Sequence, residues 1–295
     1  MATPSQAEYT RIGWNGVAMV LPSAWQVKVT SLHHLNIEDQ SGALMELRWQ
    51  KAEAGNFPQF TDTLTRQYQK LTGKELVTTN LPPDSKPLFR HIKTQCFAET
   101  RDSKPLLIFL YVPEASLFIM MQFHHDTRNE HPLRQIQSFD FSKQDDAFFS
   151  WSIQDFQVHI PSAFILSKYT MKAGLTVLRF HQEKTVLNIC RLALAKKRLE
   201  QHDLEEIFHS LLGEEQRQKP VHISATSIRY KNSPSLLHQL GLRFQRKKPF
   251  HLAALWHDEE HDRILGIFME DIKPMNEQTF EKICRSYEIP EIQNQ

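Results

Sequence analysis

Apolar positions in the first half of the chain follow the period of a strand in some segments and the period of a helix in others. A short apolar run at residues 17–21 stops at Pro22. The segments "HLNIED" and "ALMELRW" flank a QSG turn, and Met45, Leu47 and Trp49 alternate with polar neighbours, which predicts a hairpin of half-buried strands. A helix is predicted next, ending at Gly73. The apolar residues at helical spacing in this segment are Phe57, Phe60, Leu64, Tyr68 and Leu71.

Short connections then link strands predicted between residues 88 and 123, which indicates antiparallel pairing, and a last short helix is predicted over residues 131–139. The second half of the chain repeats this order. Its predicted elements are a strand ending at Pro161, a hairpin over 175–194, an amphipathic helix over 199–213, strands over 222–230, 250–256 and 263–270, and a closing helix over 276–289.

Matching segments in the two halves indicate that the chain contains one unit twice. "LPSAW" at 21–25 corresponds to "IPSAF" at 160–164, and the spacing between corresponding positions only grows along the chain, as small loop insertions would produce. The alternative is two unrelated α/β domains with similar patterning. We predict an α+β fold of two tandem domains, residues 1–143 and 144–295, each with a β-β-β-α-β-β-β-α order. The short charged linker predicts that the domains pack together and form a groove between them.

The segments "GVAMVLPSAW" with "MELRW", and "FQVHIPSAF" with "LNICRLAL", give the chain a resemblance to a known fold family. Each half resembles the PsbP/Mog-type α/β/α sandwich, which includes DcrB-like bacterial proteins. The resemblance implies an antiparallel-sheet sandwich in each half. It also implies a function in docking, assembly or chaperoning of other proteins, without catalysis.

Composition limits the classes of function. With 35 basic and 34 acidic residues, the chain gives no electrostatic case for nucleic acid or a membrane surface as the main partner. No apolar run has the length of a membrane-spanning helix, and no secretory signal is expected at the N-terminus. Three cysteines without a CxxC pair fit reduced thiols, so a cytoplasmic location is predicted. No cofactor is expected.

Histidine clusters give the main alternative function. His257 and His261 lie in "WHDEEHD" with acids between them, and a divalent metal could use both imidazoles and a neighbouring carboxylate. The flanking segments predict strands, so the cluster is expected at a hairpin tip, where a solvated polar turn is the simpler interpretation. "FHHD" at 123–126 offers a weaker cluster of the same kind.

Basic and aromatic residues give two further candidate surfaces. Arg243 and Arg246, in "RFQRKK", could follow a phosphate backbone, although lysines and arginines of this kind also protect an edge strand. Aromatic residues near strand starts and the linker could anchor a protein partner, or pack between the domains. These residues are Trp14, Trp25, Phe148, Phe149 and Trp151.

Searches for a nucleophile elbow, a P-loop, a dinucleotide-binding GxGxxG and a zinc HExxH find no match. The cysteines Cys96, Cys190 and Cys284 fall on apolar faces and are predicted to be core residues. The leading hypothesis is therefore a non-catalytic, protein-binding adaptor, assembly factor or chaperone-like module. A metal-binding protein or metal-dependent enzyme is the first alternative, and nucleic-acid binding through "RFQRKK" is the second.

Overall fold

A computed structural model describes residues 8–90, 92–101, 103–124, 131–141, 147–212, 220–233 and 248–290. Over these residues the protein is an α+β fold rich in strand, with three antiparallel sheets. The chain divides into two compact units, of which the first reaches Asp155 and the second extends from Phe156 to Ile289. In the described part of the chain, no helix combines the length and the apolar character needed to cross a membrane.

The first unit contains eleven strands and one α-helix in the described residues. The strands are β1 (Tyr9–Trp14), β2 (Val17–Pro22), β3 (Gln26–Ser31), β4 (His34–Asp39), β5 (Gly42–Lys51), β6 (Val77–Thr79), β7 (Lys93–Ala98), β8 (Leu107–Val112), β9 (Leu117–Phe123), β10 (Ser138–Phe141) and β11 (Phe148–Ile153), and the helix is α1 (Phe57–Thr72). Seven strands form one sheet in the order β3-β4-β5-β9-β8-β7-β6, and β10-β2-β1-β11 lie side by side in a second sheet.

The second unit contains the other seven-stranded sheet. Its elements are β12 (Phe156–Pro161), β13 (Ile165–Lys172), β14 (Leu175–Gln182), β15 (Thr185–Ala193), α2 (Ala195–Leu199), α3 (Leu204–Leu212), β16 (Val221–Ser224), β17 (Ser227–Asn232), β18 (Phe250–Asp258), β19 (Arg263–Asp271) and α4 (Glu277–Ser286). The sheet order is β13-β14-β15-β19-β18-β17-β16. Numbered from its own first strand, each large sheet therefore has the order 1-2-3-7-6-5-4.

Alternation of apolar residues predicted the hairpins that form the second and third strands of each large sheet. In the first unit Leu35 and Ile37 of β4 pair with Leu47 and Met45 of β5, and all four side chains are buried. The hairpin predicted over residues 175–194 is present as β14 and β15, paired from Leu175–Leu192 to Gln182–Thr185. These strands pack well because every second side chain points to the same face of the sheet.

Two helix predictions were wrong in detail. Residues 131–139 form a short 3-10 helix (Pro132–Gln135) followed by strand β10, because Phe139 pairs with Met19 of β2 and buries its ring there. The helix predicted over 199–213 is interrupted after α2. A capping box explains the restart of the helix at α3: the Asp203 carboxylate accepts from the Glu206 amide at 2.7 Å, and the Glu206 carboxylate accepts from the Asp203 amide at 3.1 Å.

Helix α1 packs against one face of its sheet through aromatic rings. Phe57 and Phe60 lie 5.6 and 4.7 Å from the ring of Phe118, in a cluster that also buries Phe109. The helix ends at Gly73, which has φ +69° and donates its amide hydrogen to a helix carbonyl, as the sequence predicted. Leu71 is the exception among the apolar helix positions, with 86% of its side chain exposed.

The second unit has a corresponding core between α3 and its sheet. Phe208 of α3 is fully buried and lies 5.6 Å from the ring of Phe268 and 5.9 Å from that of Tyr230. The closing helix α4 begins at the predicted Asn276, whose side chain accepts from two amides of the first turn. After α4, the buried Tyr287 hydroxyl donates a hydrogen bond of 2.8 Å to the Cys190 carbonyl.

Candidate functional site

A shallow cleft with a volume of about 560 Å³ opens in the first unit beside the edge strand β6. Its floor and walls come from the segment after β6, from a 3-10 helix (Pro83–Phe89), from the turn between β7 and β8, and from the 3-10 helix after His131. The lining residues are Thr79, Asn80, Leu81, Pro82, Pro83, Lys86, Arg101, Ser103, Lys104, Pro105, His131 and Arg134. We call this site the basic cleft.

Four cations line the basic cleft. Lys86, Arg101, Lys104 and Arg134 are all exposed. Arg134 forms an ion pair of 3.3 Å with Asp84, whose side chain is 68% exposed. The described lining residues include no carboxylate, which makes the wall of the cleft positively charged at neutral pH.

His131 forms the buried part of the wall and is held in one tautomer. Its Nδ1 accepts the Leu133 amide hydrogen at 3.3 Å, so its Nε2 carries the proton and donates to the Pro105 carbonyl at 3.1 Å. Burial lowers the pKa of His131 to about 4. The bond to Pro105 opposes this shift, and the charges of Lys104 and Arg134 add to it. The histidine is therefore neutral at pH 7 and fixes the wall without adding charge.

Apolar surface completes the basic cleft. Leu81, Pro82, Pro83 and Pro105 lie among the cations, and proline carries no amide hydrogen that a ligand could accept. Ser103 and Thr79 have hydroxyl groups engaged with the backbone: the Ser103 side chain donates to the Thr100 carbonyl, and Thr79 donates to the Arg101 carbonyl. This combination can hold a ligand that is partly apolar and partly anionic.

The "WHDEEHD" segment forms the end of a hairpin, as the strand pattern predicted, with His257 in strand β18 and His261 in the turn before β19. His261 Nδ1 lies 3.1 Å from both carboxylate oxygens of Asp258, and its backbone amide donates to the same carboxylate. His257 precedes Asp258 in strand β18, so its side chain points to the other face. Among the described residues, no three His, Cys, Asp or Glu side chains are arranged to hold a metal ion.

The "FHHD" segment belongs to a second histidine cluster, although His125 and Asp126 lie outside the described residues. His124 Nε2 lies 3.5 Å from the Glu46 carboxylate, and His34 Nε2 lies 3.1 Å from it. Burial alone would raise the pKa of Glu46. The hydrogen bond and charge of Arg48, at 2.6 Å, with the interaction of His34, outweigh that effect and lower the pKa. Glu46 is thus an ionised partner of surrounding cationic and imidazole groups.

Three of the five aromatic candidates for partner anchoring are buried. Trp14 is fully buried, Trp25 and Trp151 are nearly so, and the rings of Trp14 and Trp151 meet edge to face at 5.5 Å. A side chain enclosed in this way contributes packing and offers no area to a partner. Phe148 is 38% exposed, and Phe149 packs edge to face on Trp151 at 5.4 Å.

The basic run "RFQRKK" is described only at its end. Arg243 and Arg246 lie outside the described residues. Lys248 forms an ion pair of 3.1 Å with Glu270 of β19. This lysine has a partner within its own unit and is not an isolated cation.

All three cysteines are buried. Burial raises the pKa of Cys96, Cys190 and Cys284 to about 12, and for Cys284 the nearby charge of Arg229 only partly opposes this effect. The thiols are therefore protonated at neutral pH, which disfavours nucleophilic chemistry.

Sequence reasoning missed the basic cleft. Its cations are spread from Lys86 to Arg134 and do not form a run, so no local charge pattern marks them. The local signal is "LPPDSKP" at 81–87, which indicates a turn because proline fixes the backbone. The cations converge only in the folded chain, where the turn between the paired strands β7 and β8 and two 3-10 helices line the same cleft.

No protein-family model and no curated protein matches this sequence. Among solved structures the chain is similar to the crystal structure of MucB, with 10% sequence identity over 96% of this chain and 93% of MucB and a TM-score of 0.20. A TM-score this low defines neither a shared fold nor a shared function.

Proposed function

We propose that this protein is a non-catalytic binding module that holds an extended segment of a partner protein in the basic cleft. The main support for the proposal is the cleft itself, where apolar residues and exposed cations lie side by side. The hydrogen bonds of His131 hold its wall in place. Open clefts with a few polar groups among apolar ones are typical of ligand sites. The protonated, buried cysteines favour binding over covalent catalysis.

We also propose that the chain arose by duplication of one α/β unit and that the protein is cytoplasmic. The "LPSAW" and "IPSAF" segments and the common 1-2-3-7-6-5-4 order of the two large sheets support the duplication. The resemblance to PsbP/Mog-type proteins, which generally dock, assemble or chaperone other proteins, agrees with a binding role.

Site-specific photo-crosslinking in the native host tests this function. A photoreactive amino acid replaces Leu81, which lines the cleft and is half-buried. We expect it to crosslink one discrete protein. Gln67, exposed on α1 in the same unit, is the matched control position.

Two results would contradict the proposal. One is that position 81 yields no adduct although the labelled protein is folded by circular dichroism. The other is that positions 67 and 81 yield the same adducts, which would indicate random encounters. Each labelled protein is used only if its thermal unfolding transition matches that of the unlabelled chain, which excludes unfolded variants.

A further inference from the structure

We infer that the segment held in the basic cleft is acidic, and that Asp84 occupies the place of one of its carboxylates when the cleft is empty. This inference rests on the proposed function and adds the chemistry of the partner. Three observations support it: the concentration of cations in the cleft, the ion-pair partners of Arg134, Lys86 and Arg101 among the described residues, and the absence of a base-stacking surface among the described lining residues.

The cations of the basic cleft differ in their partners. Arg134 has Asp84 at 3.3 Å. Among the described residues, Lys86 and Arg101 form no ion pair, whereas Lys74 in the same unit is paired with Glu99. Asp102, between two lining residues in the sequence, lies outside the described residues. Within the described part of the chain, two cations of the cleft therefore have no carboxylate partner of their own.

The Arg134–Asp84 pair shows how a carboxylate can be held here. Both side chains are well exposed, at 43% and 68%, and an exposed pair of this kind is weak. A ligand carboxylate could therefore displace Asp84 and take over the guanidinium. Since Asp84 competes with the ligand, removing its charge should strengthen binding, whereas removing Lys86 or Arg101 should weaken it.

The lining favours a peptide over a nucleic acid. Three prolines and a leucine form the apolar part, and they suit an extended peptide with apolar and acidic residues. Nucleic-acid grooves that track a single strand combine cations with aromatic rings on which bases stack. The described lining has no Phe, Tyr or Trp, and the whole chain has a net charge of only +1.

Fluorescence anisotropy of the full chain tests the inference, with fluorescein-labelled oligoglutamate, oligoglutamine and oligothymidylate of equal length as probes. We expect oligoglutamate to bind and oligoglutamine to bind at least about ten-fold more weakly at low salt. Lys86→Gln and Arg101→Gln should each weaken oligoglutamate binding about two- to five-fold, and Asp84→Asn should strengthen it by a similar factor.

The matched control removes two charges from the same unit outside the cleft. Arg66 and Lys70 are exposed on α1, and the Arg66→Gln, Lys70→Gln double variant should bind oligoglutamate as the parent does. The Lys86→Gln, Arg101→Gln double variant should bind about ten-fold more weakly than the parent. Thermal melts check that every variant is folded.

Several outcomes would overturn the inference. These are the absence of oligoglutamate binding, equal losses in the cleft and control double variants, weaker binding after Asp84→Asn, and tighter binding of oligothymidylate through the same residues. The photo-crosslink separates this failure from failure of the proposed function. If position 81 still captures its partner while the charge variants bind that partner normally, the binding function stands and the acidic preference does not.

Discussion

Replacing Gly13 with alanine should force apart two strands of the first unit. Gly13 of β1 pairs with Ser152 of β11, and a Cβ atom built on Gly13 would lie 2.1 Å from the Ser150 carbonyl oxygen. Ordinary contact begins near 3.4 Å, so the strand must move by roughly 1 Å or more. The neighbouring atom belongs to the backbone, which cannot rotate away as a flexible side chain can.

The structure gives the size of the loss. Separation of β1 from β11 would strain the 2.7 Å hydrogen bond from the Ser152 hydroxyl to the Arg11 carbonyl, worth about 1 kcal/mol. It would also disturb the edge-to-face pair of Trp14 and Trp151, worth about 1 kcal/mol. Overpacking increases this loss in the free energy of unfolding by about 2 kcal/mol. Alanine also restricts the unfolded chain more than glycine does, which reduces the loss by about 0.7 kcal/mol. We therefore expect Gly13→Ala to lower the free energy of unfolding by about 3 kcal/mol.

Urea unfolding followed by tryptophan fluorescence measures this loss. Four of the five tryptophans, Trp14, Trp25, Trp49 and Trp151, belong to the first unit, so the signal reports mainly on that unit. Gly55→Ala is the matched control.

No atom lies within 4 Å of the added Cβ at Gly55, and its φ is outside the left-handed region, so a gain of about 0.4–1 kcal/mol is expected. Equal midpoints for the Gly13 and Gly55 variants would refute the argument from close backbone approach.

Three further predictions concern buried polar groups. The pKa of His131 is about 4 in the folded state and near 6.5 in the unfolded chain, so the unfolded chain binds the proton more readily. The contribution of His131 to the free energy of unfolding is therefore fully present above pH 6.5, and about 3 kcal/mol of it is lost as the pH falls to 4. His131→Asn does not titrate there, so its urea midpoints at pH 7 and pH 4 should differ less than those of the parent, and parallel curves would contradict the assignment. Tyr287→Phe removes the buried bond to the Cys190 carbonyl and should cost about 1–2 kcal/mol in urea unfolding; an unchanged midpoint would mean that water replaces the hydroxyl. The three thiols should react with a disulfide reagent at least about a hundred-fold more slowly in the native protein than in urea, and rapid native labelling would show that one of them is accessible.

Helix ends and hairpins were predictable because their signals are local. Gly73 ends α1 in the left-handed region that glycine tolerates, and Asn276 caps α4 with its own side chain. The interruption before α3 had a local signal as well, the Asp203–Glu206 capping box, which the apolar spacing of residues 199–213 concealed. Strand β10 could not be predicted in this way, since Phe139 is ordered by its pairing with distant Met19.

The candidate site was much less predictable. Trp14 and Trp151 were expected among the anchors of a partner, and their sequence neighbourhoods did not show that the two rings pack on each other. The histidine spacing in "WHDEEHD" suggested a metal, but a hairpin places His257 and Asp258 on opposite faces. The cations of the basic cleft carry no local pattern, because they come from three separate segments: a 3-10 helix (Lys86), the turn between β7 and β8 (Arg101 and Lys104), and a second 3-10 helix (Arg134).

The sequence by itself determined which strands alternate, that α1 ends at Gly73 and α4 begins after Asn276, and that two stretches far apart share the same pattern. These properties depend on side-chain period, proline and glycine, which act within a few residues. The tertiary structure alone decided the 1-2-3-7-6-5-4 order of each large sheet, the burial of Trp14, and the convergence of Arg101 and Arg134 on one cleft. Those properties depend on contacts between residues distant in the chain, and the energy of such a contact is set by both partners and by the packing around them.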